Sequence, residues 1–407
     1  MSKLIVVMLV LLFVCVVCRR AVVALGQPRV LGDIVTGMLM GPAIFDAYLP
    51  SISFRIGLPE TRGLLNALGE LGLIIILVEI CWHGISRREG DLSNSKIALV
   101  AFFGVVTSFA VGGVLAFYSS EDMGLQHTLL GYILFCGIAF SVTALPVLVL
   151  LLDDIAIVEA KAGRVAVVAA VYTDVFVWCA LAVISIVLGA GVGGGIALNF
   201  GVGLIYVATM LLVVRPIIMK SQLVAGLGDG VKVVVTVIIV LGSSQLTEFF
   251  GVHSSVGALL AAYVVGDVAG VKGAWDKYLF GIRQLVIPMF FIASGGMISV
   301  SGLSQVHIWF WLFVFLLGAT ISKIISCYIA GLLVGMRQRA SMQLGILMST
   351  KGTAELVVLA VGYREGLLSD DSYTVLLILS VASMMLTVPM LAFLNSYFGQ
   401  HGGCPKG

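Results

Sequence analysis

The chain is 407 residues long, with 60% hydrophobic and 11% charged side chains and a formal net charge of +2 at pH 7. Its mean hydropathy is +1.15. Soluble domains carry roughly 25% charged residues, and about half of any folded surface must tolerate water. A compact water-soluble fold could not hide this much apolar surface, which excludes an ordinary soluble enzyme, a nucleic-acid binder and a disordered chain. A polytopic membrane protein remains, with the lipid bilayer as its solvent.

A helix crossing a bilayer needs about 20 mostly apolar residues. The long apolar runs lack strict period-2 alternation, so they read as helices and not as barrel strands. Thirteen spans are expected, at 3–24, 28–48, 63–85, 97–118, 126–151, 162–188, 196–218, 232–250, 252–270, 281–299, 305–334, 340–362 and 372–397. The first is expected to be a span and not a cleaved signal: it has Lys3 before it, Arg19 and Arg20 directly after it, and no obvious small-residue cleavage site. With residue 1 outside and the spans alternating, seventeen of the 23 Lys and Arg fall in inside loops or the tail, and four fall outside. This bias follows the positive-inside rule and favours an outer N-terminus and a cytoplasmic C-terminus. No soluble regulatory domain is expected, because the tail from about Ser396 is short.

The cysteines carry no metal signal. Cys15 and Cys18 have CxxC spacing, but in a lipid-embedded helix they read as small packing residues. His401 and Cys404 in the tail read as incidental. No zinc pattern, phosphate loop or catalytic triad is present, so neither enzyme chemistry nor a cofactor is expected.

Ionisable groups at membrane depth carry the functional signal, since each is costly there. Glu79 and His83 stand four apart on one helix, near the expected cytoplasmic end of their span, and are the weaker candidates. Asp33, Glu70 and Glu248 lie near span ends, where snorkelling or an interfacial partner accounts for them. Asp174 lies in the middle of 162–188 with no basic residue within a helical turn. A carboxylate held between desolvation and a neighbouring cation can bind a proton or a metal cation, but not both, which is the elementary device of cation/proton exchange. The alternative is an Asp that pairs with a Lys to hold two helices together. The Thr173 hydroxyl is an oxygen ligand for an alkali cation, or else it bonds its own helix carbonyl four residues back.

Two segments read as interrupted helices. In Phe140–Pro146 the proline lacks an N–H, and Ser141 and Thr143 offer replacement hydrogen bonds. Met348–Glu355 places Ser, Thr, Lys, Gly and Glu in an otherwise apolar span. They lie about half the chain apart, and paired broken segments in two halves point to a transporter's midplane site. Lys351 is expected to compensate the negative end of a half-helix, with Glu355 as its local partner four residues on. Lys323 lies in a different span and is free to reach Asp174.

These residues resemble the monovalent cation/proton antiporters, in particular the branch of sodium/proton antiporters and potassium-efflux exchangers. The resemblance covers essentially the whole chain. It rests on Gly32–Pro42, Ser141–Leu148, Gly163-Arg164 followed by Thr173-Asp174, Gly257–Ala262, Phe291–Met297, Lys323 and Lys351–Leu356. It implies an all-α exchanger of about thirteen helices in one transmembrane domain, with two inverted repeats. It further implies a core around 97–188 and 305–362 with two crossing discontinuous helices, and a scaffold that forms a homodimer. Asp174 matches the family's ion-binding aspartate, Lys323 a lysine that pairs with it, and Thr143 a polar residue at the first crossover; with Ser141 and Thr173 these would bind a monovalent cation. Where many members carry Asp-Asp or Asn-Asp, this chain has Thr173-Asp174, and Glu79 and His83 do not follow the usual Gly-Leu-Glu phrase. The expected function is exchange of sodium or potassium for protons across a plasma membrane. The alternatives are a sodium-coupled symporter of organic anions on the same fold and a non-transporting membrane sensor.

Overall fold

The structure is a computed structural model that describes residues 2–27, 29–79, 81–82, 92–123, 128–154, 158–187, 205–221, 225–249, 254–296, 305–352, 355, 358–359, 362–363 and 367–401. Among the described residues every regular element is helical. The α-helices are α1 (Ser2–Ala24), α2 (Arg29–Met40), α3 (Pro50–Ile56), α4 (Leu58–Glu79), α5 (Asn94–Ser119), α6 (Leu129–Ser141), α7 (Leu145–Asp154) and α8 (Ala160–Val187). They continue with α9 (Arg215–Ser221), α10 (Asp229–Phe249), α11 (Ser254–Gly266), α12 (Val271–Gly296), α13 (Val306–Leu333), α14 (Gln338–Met348) and α15 (Asp370–His401).

Six helices among the described residues are long and apolar enough to cross a bilayer: Lys3–Ala24, Leu58–Val78, Asn94–Ser119, Asp229–Phe249, Val306–Leu333 and Asp370–Phe398. Shorter apolar helices accompany them at Leu129–Ser141, Ile205–Met219 and Gly257–Gly266. The thirteen expected spans therefore do not all appear as full-length crossings, and the differences have local causes. Expected span 28–48 divides into α2 and a π turn at Pro42–Asp46, because Pro42 cannot donate to the helix before it. Expected span 126–151 divides into α6 and α7 around non-helical Val142–Ala144. Expected span 340–362 holds α14, which stops at Met348. The expected residues 28, 80, 83–85, 126–127, 188, 196–204, 250, 252–253, 297–299, 353–354, 356–357 and 360–361 lie outside the described ones.

The chain forms two compact units, one of Met1–Thr61, Glu89–Ile184 and Phe291–Gly407, the other of Arg62–Arg88 and Ser185–Phe290. In the first, α5 packs on α6 and α13, and α13 packs on α14 and α15. Lipid tails are as apolar as leucine, so helices in a membrane associate through close packing and hydrogen bonds, and small residues bring backbones together. A Cβ on Gly112 of α5 would fall 2.8 Å from the Cys136 carbonyl oxygen of α6. Phe140 of α6 and Phe315 of α13 meet edge to face with centroids 5.4 Å apart. Between α1 and α2, Arg19 holds Asp33 through two bonds, Nε–Oδ1 at 2.5 Å and an NH2–Oδ2 bond at 2.9 Å. Cys15 Sγ adds a third contact to Asp33 at 3.1 Å.

The second unit has its own core. α10 packs on α11, and a Cβ on Gly257 would lie 2.3 Å from the Ser243 carbonyl oxygen, so only glycine permits that approach. Trp82 and Trp275 stack edge to face at 5.2 Å, and the Trp82 indole donates to the Ala262 carbonyl at 2.6 Å.

Candidate functional site: the crossed helix breaks

The C-terminal turn of an α-helix leaves four carbonyls without intrahelical partners, and the end carries partial negative charge. In a bilayer those carbonyls cannot turn to lipid, so each needs an internal donor. α6 and α14 both end inside the first unit, at Ser141 and Met348, and each supplies donors to the other's break.

The first break begins where Val142 leaves the helix in an extended conformation (φ −60°, ψ 142°). Pro146 then occupies the first turn of α7, where its missing N–H removes nothing the helix needs. The freed segment runs against the second break. Thr143 Oγ1 donates to the Met348 carbonyl at 2.9 Å, and the Ala144 N–H donates to the Thr350 carbonyl at 3.0 Å. Gly352 sits in the same crossing: a Cβ there would be 2.8 Å from Val147 Cγ2 and 3.1 Å from Ala144 Cβ. The Ser141 hydroxyl bonds the Gly137 carbonyl at 2.9 Å and the Val105 carbonyl at 3.1 Å, tying the end of α6 to α5.

Two buried ammonium groups converge on the last turn of α6. Lys351 Nζ donates to the Ala139 carbonyl and Lys323 Nζ to the Ser141 carbonyl, each at 2.5 Å. Lys323 and Lys351 are 1% and 2% exposed and Glu355 is fully buried, so these charges depend on protein partners alone. Lys351 also reaches Glu355 Oε1 at 3.2 Å, one turn along, and lies 5.8 Å from the Phe140 ring centre. Among the described residues Glu355 Oε2 has no hydrogen-bond partner.

Asp174 lies on α8, partly buried, within electrostatic reach of Lys323. Among the described residues no ion pair within 4.0 Å joins the two, and the Lys323 ammonium is engaged at the Ser141 carbonyl. Thr173 is fully buried and its hydroxyl donates to the Ala169 carbonyl at 3.0 Å, within its own helix. The structure thus brings Ser141, Thr143, Lys323, Lys351 and Glu355 into one bonded cluster, with Asp174 coupled to it through charge. Of the other acids, Asp33 is taken by Arg19, while Glu70 and Glu248 are exposed. Glu79 is the last residue of α4, and His83 lies outside the described residues.

Sequence reasoning missed one wall of this site. Ser383 Oγ of α15 donates to the Ser349 carbonyl at 2.8 Å, and the Thr387 and Thr350 hydroxyls share a bond at 3.0 Å. The signal was present as Ser380, Ser383 and Thr387, spaced three and four apart on one face of an apolar helix.

These features define a polytopic, all-helical membrane protein built around two interrupted helices that cross and cap one another. The family model for the transmembrane sodium/hydrogen exchanger matches residues 7–394, and the chain belongs to that family. It is 29% identical over 385 residues to Cation/H(+) antiporter 19 of Arabidopsis thaliana, covering 90% of this chain and 46% of that one. It is 26% identical over 378 residues to the Na(+)/H(+)-K(+) antiporter GerN of Bacillus cereus, covering 91% of each. The chain therefore spans about half the length of the plant relative and nearly all of the bacterial one. Its fold is similar to that of the sodium proton antiporter MjNhaP1 from Methanocaldococcus jannaschii, with a TM-score of 0.58, 12% identity and 98% of each chain covered.

Proposed function

We propose that this chain exchanges a monovalent cation, sodium or potassium, for protons by alternating access. What supports this reading is one carboxylate, Asp174, within electrostatic reach of a lysine whose ammonium already occupies a helix-end carbonyl. A carbonyl at a helix C-terminus is an oxygen dipole suited to a hard cation, and Asp174 supplies the compensating charge. In the proton-loaded form Asp174 is neutral and Lys323 stays on the Ser141 carbonyl. An arriving cation takes the deprotonated Asp174 and competes with the Lys323 ammonium for the space around Ser141. One carboxylate cannot hold a proton and a cation together, so cation entry requires proton release, and the Lys323 charge opposes the cation that replaces the proton. Thr143 serves by holding the two breaks in register. The Thr173 hydroxyl is available as a ligand only if it leaves Ala169.

The relatives' names include Na(+)/H(+) and K(+)/H(+) antiporters, and they support the cation class for this chain. The core/scaffold division, a homodimer, a plasma-membrane location and an outer N-terminus belong to the same proposal. Purified protein in proteoliposomes is expected to collapse an imposed proton gradient when sodium or potassium chloride is added, and Asp174→Asn to abolish the response. Full exchange in Asp174→Asn would remove Asp174 from the mechanism.

A further inference from the structure

The last helix, α15, touches the second break at consecutive points along one face. Ser383 Oγ donates to the Ser349 carbonyl at 2.8 Å, and the Thr387 and Thr350 hydroxyls share a bond at 3.0 Å. One turn earlier, the Ser380 hydroxyl donates to the Leu376 carbonyl at 3.1 Å within α15. Ser380, Ser383 and Thr387 are 0%, 2% and 0% exposed. Their hydroxyls are therefore spent inside the protein.

The contacts fall on one short peptide stretch with a second set of obligations. Met348 O accepts from Thr143, Thr350 O accepts from the Ala144 N–H, and the next residue, Lys351, caps Ala139. Ser349 O, between these two carbonyls, is the one that α15 holds. Each carbonyl from Met348 to Thr350 thus has a donor, two from the first break and one from α15. Turning the Ser349 peptide would turn its neighbours and carry Lys351 away from Ala139. There is a parallel in chain order: Asp174 follows the first break by about thirty residues, and Ser383 follows the second by about the same interval. One half presents an acid at that place and the other a hydroxyl.

We propose that Ser383 and Thr387 are positioning residues of the exchange site, Ser383 holding the Ser349 peptide and Thr387 the Thr350 side chain, so that Lys351 and Thr143 meet the end of α6. The inference rests on the assignment of exchange to Asp174 and the crossed breaks. Removing the Ser383 hydroxyl takes from the Ser349 carbonyl the donor that α15 supplies, which loosens the hold on that peptide. The carbonyl end of α6 then loses its fixed geometry, and a site that selects a cation by ligand placement weakens before it loses turnover.

The test is exchange kinetics in proteoliposomes for S383A, T387V and T387S, with D174N alongside, each checked for monodispersity and thermal unfolding. S383A and T387V are expected to raise the KM for the cation about fivefold or more and to shift the pH midpoint of exchange, with kcat changed less. T387S, which keeps the hydroxyl, is expected to restore the KM of the parent. KM and pH midpoint within twofold of the parent in folded S383A and T387V would overturn the proposal, even if their thermal midpoints fall. Should S383A fail to fold, T387V decides by the same criterion, with T387S as its control. Exchange persisting in D174N would instead remove the functional reading on which the inference rests.

Discussion

Lys351 of the second break donates its ammonium to the carbonyl of Ala139 at the end of the first, 212 positions away. The bond joins the two halves of the chain at the point where each has lost its helix. It also spends a buried charge on a helix-end dipole, with Glu355 as the nearby counter-ion.

Removing that ammonium leaves Glu355 as an unpaired buried carboxylate and Ala139 without its donor. Lys351→Met is therefore expected to lower stability by roughly 3–5 kcal/mol. Lys351→Met with Glu355→Gln is expected to recover part of the loss, because no isolated charge remains. Thermal unfolding of the two single variants and the double variant measures the coupling; strictly additive losses would mean the pair is not coupled in stability.

Lys323 occupies the Ser141 carbonyl, so in the proposed exchange its charge opposes a cation arriving there. Lys323→Gln is expected to raise apparent cation affinity several-fold at an acid pH, where the ammonium and the proton both compete with the cation. The pH dependence of exchange becomes flatter as a result. Gradient-collapse assays across a pH series decide the matter: a variant with the parent's profile would leave Lys323 a structural cap only.

Two adjacent glycines of α5 should respond oppositely to alanine. At Gly112 the new Cβ meets the Cys136 carbonyl oxygen at 2.8 Å, a backbone atom that cannot swing away. At Gly113 it meets the Ile133 Cγ2 methyl at 3.3 Å and the Ile133 carbonyl oxygen at 3.8 Å, with no backbone atom as near as at Gly112. Gly112→Ala is expected to destabilise by about 1–3 kcal/mol through overpacking. Gly113→Ala is expected to be neutral or to gain up to about 1 kcal/mol from helix propensity. Unfolding midpoints in detergent distinguish the two, and equal shifts would contradict the packing described.

The Arg19–Asp33 pair joins α1 to α2 with a two-pronged contact, Asp33 being nearly fully buried and Arg19 a third exposed. Asp33→Asn is expected to cost about 1–3 kcal/mol, less than a fully enclosed pair because solvent screens the arginine. Arg19→Lys is expected not to preserve stability, since an ammonium cannot offer the planar fork. A lysine variant as stable as the parent would show that charge alone suffices.

Much of this protein was legible from composition and from a few residues out of place. An apolar chain with scattered charges and no period-2 alternation reads as helical and membrane-spanning, because lipid offers backbone groups no partners and a barrel strand would alternate. Pro146 and Gly352, each set among hydroxyls, mark the two breaks, since proline removes a donor and glycine admits a close approach. Asp174, Lys323, Lys351 and Glu355 stand out because charge is rare at such depth. Which carbonyl each lysine reaches was decided only by the tertiary structure: Lys323 was free to reach Asp174, yet its ammonium sits on Ser141, 182 positions away. The hydroxyl face of α15 went unread for the same reason. Serine and threonine are common in membrane helices, and only the crossing of α14 past α15 gives Ser383 and Thr387 something to hold. Local chemistry sets what a side chain is able to bond. Its actual partner depends on how helices from distant parts of the chain pack, and no spacing along a single helix records that.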